Sequence, residues 1–305
     1  MISLKVWRKN ALDRLSAAGI DRGELEPELA RLLTELAGLS RVTQVTSPNL
    51  SLTEPQLKAL EGALQRRERR EPLSQILGRW SFWGLELLVG PEVLTPRPDT
   101  ELLVEESLKW LERESGSWAQ PPLVVDVCAG TGCVGLAIAS ERPCELVMIE
   151  LCEEAFGLLE RNSERCLKAG ALKAAPQLRR GDLLSPLKAD ERPQLIVSNP
   201  PYISHQELEE LMPEVRDFEP RLALDGGEDG LELVRALSQQ ALSRLAPGGA
   251  LMMEVGWRQT EEVASLLSAL GYQEVRVRSD YGGNPRVVIG VLSSARSEDH
   301  GDGEL

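Results

Sequence analysis

The sequence predicts an α/β protein, in which a small helical domain precedes a larger domain built on a seven-stranded, mostly parallel sheet. Two observations carry this prediction. After residue 100, short apolar runs alternate with stretches of helical periodicity, which is typical of consecutive β-α-β units. Before residue 70, apolar residues recur at helical spacing. A chain of 305 residues is long enough for two such domains.

Three amphipathic helices are predicted at the start of the chain. Their apolar positions fall within three ranges: 7–18, 29–36 and 57–64. Gly38 ends the second helix, and Thr53 with Gln56 resembles a capping box at the start of the third. The basic cluster at 65–70 is predicted to be a solvated helix face that stabilises a helix C-terminus.

The pattern changes between residues 80 and 94, where short apolar runs flank glycines. This predicts a hairpin linker. Its aromatic residues Trp80, Phe82 and Trp83 either line a substrate pocket or pack between two domains.

These patterns predict the following domain boundaries: a helical domain at 1–70, a hairpin linker at 71–95, an α/β domain at 96–292, and a disordered acidic tail at 293–305.

Seven strands are predicted in the α/β domain. They lie at 123–127, 146–149, 177–180, 195–197, 251–255, 275–277 and 287–291. The last two are joined by the short turn from Asp280 to Pro285, which cannot hold a helical crossover. The last strand is therefore expected to run antiparallel to the others.

Composition and charge narrow the class of protein. The formal net charge of −14 opposes binding to a nucleic-acid backbone, so no direct nucleic-acid partner is expected. Five cysteines without a C-x-x-C pair predict neither a disulfide framework nor a metal site. Since no long apolar run or signal-like leader occurs, the sequence predicts a cytoplasmic protein with no membrane partner.

A glycine-rich turn follows the first strand of the α/β domain and leads into a helix. Open α/β sheets bind ligands at this edge, and the helix that follows offers free N–H groups. The turn predicts a cofactor loop formed by Cys128, Ala129, Gly130, Thr131 and Gly132. Taken alone, it suits any nucleotide, and a structural glycine turn beside a surface acid is the alternative.

Two details favour S-adenosylmethionine over a nicotinamide dinucleotide as the ligand. Asp126 at the strand end can accept from the ammonium group of S-adenosylmethionine. Glu150 closes the next strand, where a carboxylate can bind both ribose hydroxyls. Asp182 and Leu183 follow the third strand, where they are expected to contact the adenine amino group and ring.

The segment Asn199-Pro200-Pro201-Tyr202 directly follows a strand and reaches the same sheet edge as the cofactor loop. Tandem prolines fix the backbone and leave carbonyl oxygens unclaimed. The Asn199 side-chain oxygen and the Pro200 carbonyl can accept both hydrogens of a planar NH₂ group, while Tyr202 offers a ring for stacking. We predict methyl transfer to such a nitrogen, with Asn199, Pro200 and Tyr202 as the catalytic residues.

When the segment 199–202 is taken together with the motifs around it, the chain resembles the HemK-like family of peptide-chain release factor N5-glutamine methyltransferases. The resemblance covers nearly the whole chain and rests on these stretches: 72–84, 94–101 (LTPRPDTE), 126–132, 197–203 (VSNPPYI), 214–230 and 254–256. It implies a class I methyltransferase fold that is Rossmann-like, cofactor contacts at residues 128–132, Glu150, Leu183 and Asn199, and a substrate glutamine held by residues 199–202.

The resemblance also implies a substrate, the Gly-Gly-Gln loop of release factors, and so a role in translation termination. Three positions depart from the family pattern: Cys128 stands for a glycine, Glu150 for an aspartate and Asp99 for a glutamate. The motif Pro96 to Glu101 is expected to wall the pocket, with Asp99 or Thr100 capping the helix that follows.

Other substrates share the same chemistry. Adenine-N6 methylation of nucleic acid needs the same acceptors for a flipped-out base, although the chain has no basic domain. Glutamine methylation of a ribosomal protein is the other alternative. A binding module without activity would need a damaged loop or motif, and both are intact.

Overall fold

The structure is a computed structural model that describes residues 2–294. It divides into two compact units, one formed by the residues up to 79 together with 211–218, the other by 80–210 and the residues from 219 onward. Most of the predicted acidic tail, residues 295–305, lies outside the described residues.

The first unit is helical. Its helices are α1 (Leu4–Ala17), α2 (Arg22–Ala37), α3 (Arg41–Thr46), α4 (Glu54–Glu68), α5 (Leu73–Leu77) and the single turn Pro213–Arg216, which is α10 in chain order. The three helices expected from periodicity are present as α1, α2 and α4. The capping box of Thr53 and Gln56 is formed, and Gly38 ends α2 in the left-handed conformation.

The basic cluster at 65–70 departs from its prediction as a solvated face. The side chain of Arg67 is only 3% exposed and is paired with Glu28 at 2.9 Å and Glu214 at 2.9 Å. Arg70 holds the same Glu214 through two hydrogen bonds of 2.6 Å. The local pattern could not reveal this, because Glu214 lies far along the sequence. These ion pairs explain why residues 211–218 belong to the first unit.

A hairpin of β1 (Arg79–Phe82) and β2 (Leu85–Leu88) follows, and all of it except Arg79 belongs to the second unit. Trp83 and Gly84 in its turn both have positive φ, as a tight two-residue hairpin turn requires. Asn162 clamps the second strand, donating to the Leu88 carbonyl and accepting from its N–H. Phe82 is buried in the core of this unit and Trp83 packs against it, so these two aromatic rings serve packing.

All seven predicted sheet strands are present. They are β3 (Leu123–Val127), β4 (Glu145–Glu150), β5 (Gln177–Arg180), β6 (Leu195–Ser198), β7 (Ala250–Glu254), β8 (Gln273–Ser279) and β9 (Pro285–Val291). The strand order is β5-β4-β3-β6-β7-β9-β8. Only β9 runs against its neighbours, which confirms the predicted antiparallel last strand.

Helices cover both faces of this sheet. They are α6 (Glu101–Glu114), α7 (Cys133–Glu141), α8 (Glu153–Lys168), α11 (Glu232–Arg244) and α12 (Thr260–Ala269), while the single turn α9 (His205–Leu208) follows the segment after β6. Alternate residues of each central strand enter opposite core layers: Val124 packs with α6 and α7, whereas Val125 packs with α11 and α12. Within residues 2–294, no helix is both long and apolar enough to cross a membrane.

Candidate active site

A cavity opens where β3, β4, β5 and β6 end. Its empty volume is about 1030 Å³, including its open mouth. It brings together these predicted site residues: Asp126, Cys128, Ala129, Gly130, Thr131, Glu150, Asp182, Leu183, Asn199 and Pro201. Gly132, Pro200 and Tyr202 stand beside the cavity in sequence and do not line it. The carboxyl edge of the sheet thus gathers the two motifs, as parallel topology dictates.

The cofactor loop has a backbone that suits glycine. Cys128, Gly130 and Gly132 all have positive φ, and Cys128 adopts +59° despite its side chain. The Gly132 N–H donates to the Ala129 carbonyl at 2.7 Å, which closes the turn before α7 begins. A Cβ at Gly132 would lie 2.6 Å from Leu159 Cδ1, so the Leu159 side chain would have to shift to admit one.

The carboxylate of Glu150 organises the loop from the end of β4. Its Oε2 accepts from the Gly130 N–H at 2.8 Å, and its Oε1 accepts from the N–H groups of Leu151 and Cys152 at 2.9 Å. A carboxylate can accept about four hydrogen bonds, so capacity remains for a hydroxyl donor in the cavity.

Asp126 is a buried acid without an ion pair among residues 2–294. Its Oδ2 accepts from the Gly135 N–H at 2.8 Å. Burial raises the pKa of Asp126 to about 7, and the charge of Glu150 adds to the effect. A buried acid in this state favours a cation nearby. The lining therefore fits S-adenosylmethionine, which carries an ammonium and a sulfonium group.

The segment after β6 is braced from behind. Ser198 Oγ donates to the Val127 carbonyl at 2.7 Å, and Gln259 Nε2 donates to the Tyr202 carbonyl at 2.9 Å. Gly226 and Gly230 pack so closely that a Cβ at either would lie within 3 Å of the Tyr202 backbone. These contacts fix the course of residues 199–202.

The acceptors predicted on this segment are available. Asn199 Nδ2 donates to Thr100 Oγ1 at 3.3 Å. Within residues 2–294, neither Asn199 Oδ1 nor the Pro200 carbonyl takes part in a hydrogen bond. Burial raises the pKa of the Tyr202 hydroxyl, with the charge of Glu254 as the next cause, so Tyr202 is neutral.

The segment before α6 departs from its predicted capping role. A 3₁₀ turn, Pro98–Thr100, leads directly into α6, and no side chain caps the helix. Instead, Arg97 pairs with the fully buried Glu219 at 2.7 Å, and Asp99 pairs with Arg286 at 2.9 Å. The hydroxyl of Thr100 is committed to Asn199 rather than to the helix N-terminus.

Comparisons with known proteins bear on this site. The family model described as PrmC N-terminal domain matches residues 7–78, and that described as Conserved hypothetical protein 95 matches residues 78–223. The release factor glutamine methyltransferase of Caulobacter vibrioides is 40% identical over 296 residues, covering 96% of this chain and 98% of that protein. The Escherichia coli protein of that name is 36% identical over 285 residues, covering 93% and 97%.

The chain belongs to the release factor glutamine methyltransferase family. Among solved structures, the hMettl16 catalytic domain in complex with an RNA hairpin is similar with a TM-score of 0.53 and 15% identity, covering 88% of this chain and 93% of that one. That similarity concerns the fold alone. The predicted family, the class I methyltransferase fold and the assignment as an S-adenosylmethionine-dependent methyltransferase are confirmed.

In this member of the release factor glutamine methyltransferase family, sequence reasoning missed Glu254. It ends β7, is 2% exposed, and its Oε2 has no hydrogen-bond partner among residues 2–294. Burial raises the pKa of Glu254 to about 7, while polar contacts from Thr100, the charge of Arg286 and a contact from Asn199 lower it. The signal was an acid closing an apolar strand, the same signal that had selected Asp126.

Proposed function

We propose that this protein transfers a methyl group from S-adenosylmethionine to the N5 amide nitrogen of the glutamine in the Gly-Gly-Gln motif of peptide chain release factors. The observation that carries the proposal is a pair of unclaimed acceptors on consecutive residues: Asn199 Oδ1, on a residue that lines the cofactor cavity, and the Pro200 carbonyl directly after it. Membership of the family supports the choice of substrate.

The two acceptors match the hydrogens of a primary amide. An amide nitrogen is a poor nucleophile, because its lone pair is delocalised into the carbonyl group. Two fixed acceptors align that nitrogen and draw on its N–H bonds, so that its electron density rises as the methyl group approaches. When bound, S-adenosylmethionine supplies the electrophilic methyl group. The ring of Tyr202 and the rigid Pro200-Pro201 backbone are assigned to holding the amide plane.

The cofactor residues have separate roles in this proposal. Asp126 receives the ammonium group, and Glu150 receives ribose hydroxyls beside its existing bond to Gly130. The backbone of residues 128–132 lies against the amino-acid part of the cofactor. Asp182 and Leu183, which also line the cavity, bind the adenine amino group and ring.

The substrate is a protein rather than a nucleic acid in this proposal. With a net charge of −14, the chain offers no general attraction for a phosphate backbone, so no direct nucleic-acid partner and no membrane partner are proposed. We assign substrate recognition to the helical residues 1–70 and the linker 71–95, and we place the protein in the cytoplasm, where release factors act.

A substrate panel tests the proposal. The protein is incubated with labelled S-adenosylmethionine and one of three acceptors: an unmethylated release factor, ribosomal proteins, or adenine-containing DNA and RNA. We expect label in the release factor alone. Release factor carrying Gln→Glu in its Gly-Gly-Gln motif is the matched control and should take up none. Label in ribosomal protein or adenine, with none in the release factor, would replace the proposed substrate.

A further inference from the structure

The amide group of Asn199 has two possible orientations, and only one suits methyl transfer. With Oδ1 toward the substrate, it accepts from the substrate N–H. In the flipped orientation, two NH₂ groups would face each other and repel. Something behind Asn199 must therefore select the productive orientation.

One hydrogen bond holds the Asn199 side chain, since its Nδ2 donates to Thr100 Oγ1 at 3.3 Å. The buried carboxyl group of Glu254, whose Oε2 has no hydrogen-bond partner among residues 2–294, interacts electrostatically with both side chains. Because Thr100 accepts from Asn199, its own proton is available, and we assign that proton to the buried Glu254 Oε2, which has no other hydrogen-bond partner among residues 2–294. An ionised carboxylate can only accept, so this arrangement holds the nitrogen of Asn199 at the back.

The position of Thr100 is itself fixed by its neighbours. Arg97 is tied to Glu219, and Asp99 is tied to Arg286 on β9. Thr100 is 1% exposed, so its hydroxyl cannot turn to water. The 3₁₀ turn before α6 thus fixes the buried Thr100 hydroxyl beside Asn199 Nδ2.

We propose that Thr100 and Glu254 are positioning residues for methyl transfer, which orient the Asn199 amide group so that its oxygen faces the substrate amide. The inference rests on the proposed function and deepens it. Neither residue needs to touch the reacting atoms. Substitution of either residue should lower kcat, because both residues keep the substrate amide nitrogen aligned for methyl transfer.

Thr100→Val and Thr100→Ser form the matched pair. Valine keeps the shape and removes the hydroxyl, whereas serine keeps the hydroxyl. At saturating cofactor, we expect Thr100→Val to lower kcat on release factor roughly 10-fold to 100-fold with little change in the KM of the cofactor. Thr100→Ser should stay within about 3-fold of the parent protein. Ser107→Ala, which removes a buried hydroxyl from α6, controls for lost stability.

The pH profile separates positioning from a structural role. The charged or titratable groups that interact electrostatically with Glu254 are Asp99, Arg286, the Tyr202 hydroxyl and the Cys133 thiol, besides the neutral Thr100 and Asn199. A protonated Glu254 can donate to Thr100 and compete with Asn199. kcat should therefore fall toward acid pH, and Glu254→Gln should show a low kcat without that acid limb.

A second readout does not depend on the substrate. The chain has five asparagines, at positions 10, 49, 162, 199 and 284, so selective ¹⁵N-asparagine labelling gives few side-chain amide signals. The Asn199 signal, assigned by its loss in Asn199→Ala, should titrate with pH in the parent protein. It should stop titrating in Glu254→Gln, and it should exchange with water faster in Thr100→Val.

The outcomes are distinct. An Asn199 signal that ignores pH and both substitutions overturns the inference, as does a Thr100→Val variant with the kcat of the parent protein. Equal loss in Thr100→Ser and Thr100→Val also overturns it. If the parent protein leaves release factor unmethylated, the proposed function fails, and the NMR signals still decide whether Thr100 and Glu254 hold Asn199.

Discussion

The backbone N–H of Gly130 donates to Glu150 Oε2 at 2.8 Å, which joins the glycine loop to the acid at the end of the neighbouring strand. The two features that predicted a cofactor site therefore form one structure. Glu150 both holds the loop and offers its remaining capacity to the ligand.

Glu150→Ala should weaken cofactor binding in two ways, because it removes both the support of the glycine loop and the proposed contact with the cofactor. Loss of hydrogen bonds to a charged group costs about 1.5 to 3 kcal/mol, which corresponds to roughly a 10-fold to 150-fold rise in Kd. Isothermal titration with S-adenosylmethionine measures this. Glu150→Asp keeps the carboxylate and should lose less. A Kd for Glu150→Ala within about 2-fold of the parent value would show that the acid does not bind the cofactor.

Position 128 should tolerate substitution of Cys128 by glycine better than substitution by valine. Its φ of +59° suits glycine and strongly disfavours a β-branched side chain. Cys128→Gly removes this strain but loosens the unfolded chain, so its free energy of unfolding should stay within about 1 kcal/mol of the parent value. Cys128→Val should lose roughly 1 to 3 kcal/mol. Chemical denaturation compares them, and equal stability of the two variants would contradict the strained backbone.

Glu254→Gln should change how stability depends on pH. Because burial raises the pKa of Glu254 from 4.5 to about 7, the folded protein binds more protons than the unfolded chain between those values. The contribution of Glu254 is thus fully present below about pH 4.5 and is lost as pH rises through about 7. The glutamine variant should gain stability relative to the parent between pH 5 and pH 8, by up to roughly 3 kcal/mol.

Denaturation at several pH values measures this difference. The acids whose pKa is lowered in the folded state, such as Glu191 with a pKa of about 2, change stability at lower pH and do not obscure it. A stability difference between Glu254→Gln and the parent that is the same at pH 5 and pH 8 would mean that Glu254 has an ordinary pKa.

Glu214→Gln should destabilise the first unit. It removes one partner of the buried Arg67 and the main partner of Arg70, and Glu28 remains for Arg67. We expect a loss of roughly 1 to 3 kcal/mol in the free energy of unfolding. Glu112→Gln is the control, since Glu112 is 70% exposed in its pair with Arg142 and should cost under about 1 kcal/mol. Equal losses would mean that burial does not matter here.

Much of the fold could be predicted from local patterns. The seven strands and the reversed β9 follow from apolar runs and from one short turn, and even the weak strand β5 (Gln177–Arg180) was found. The short helices α3 and α5 were not, because six and five residues carry too little periodicity.

The candidate site shows where local patterns end. Thr100 precedes a helix, which suggests a helix cap, but its hydroxyl accepts a hydrogen bond from Asn199 instead. Arg67 lies in a run of charged residues, which suggests exposure, but its side chain is buried and forms ion pairs with Glu28 and Glu214. In both cases, partners distant in sequence decided the outcome. The motifs at 126–132 and 199–202 were predictable because the carboxyl ends of parallel strands must meet.

The most direct test is mass spectrometry of an unmethylated release factor after incubation with this protein and S-adenosylmethionine, with Asn199→Ala alongside. Methylation adds about 14 Da to the Gly-Gly-Gln peptide, and the account predicts this gain with the parent protein and its loss with the variant, in which one of the two acceptors is missing. A peptide of unchanged mass, or full methylation by Asn199→Ala, would contradict it.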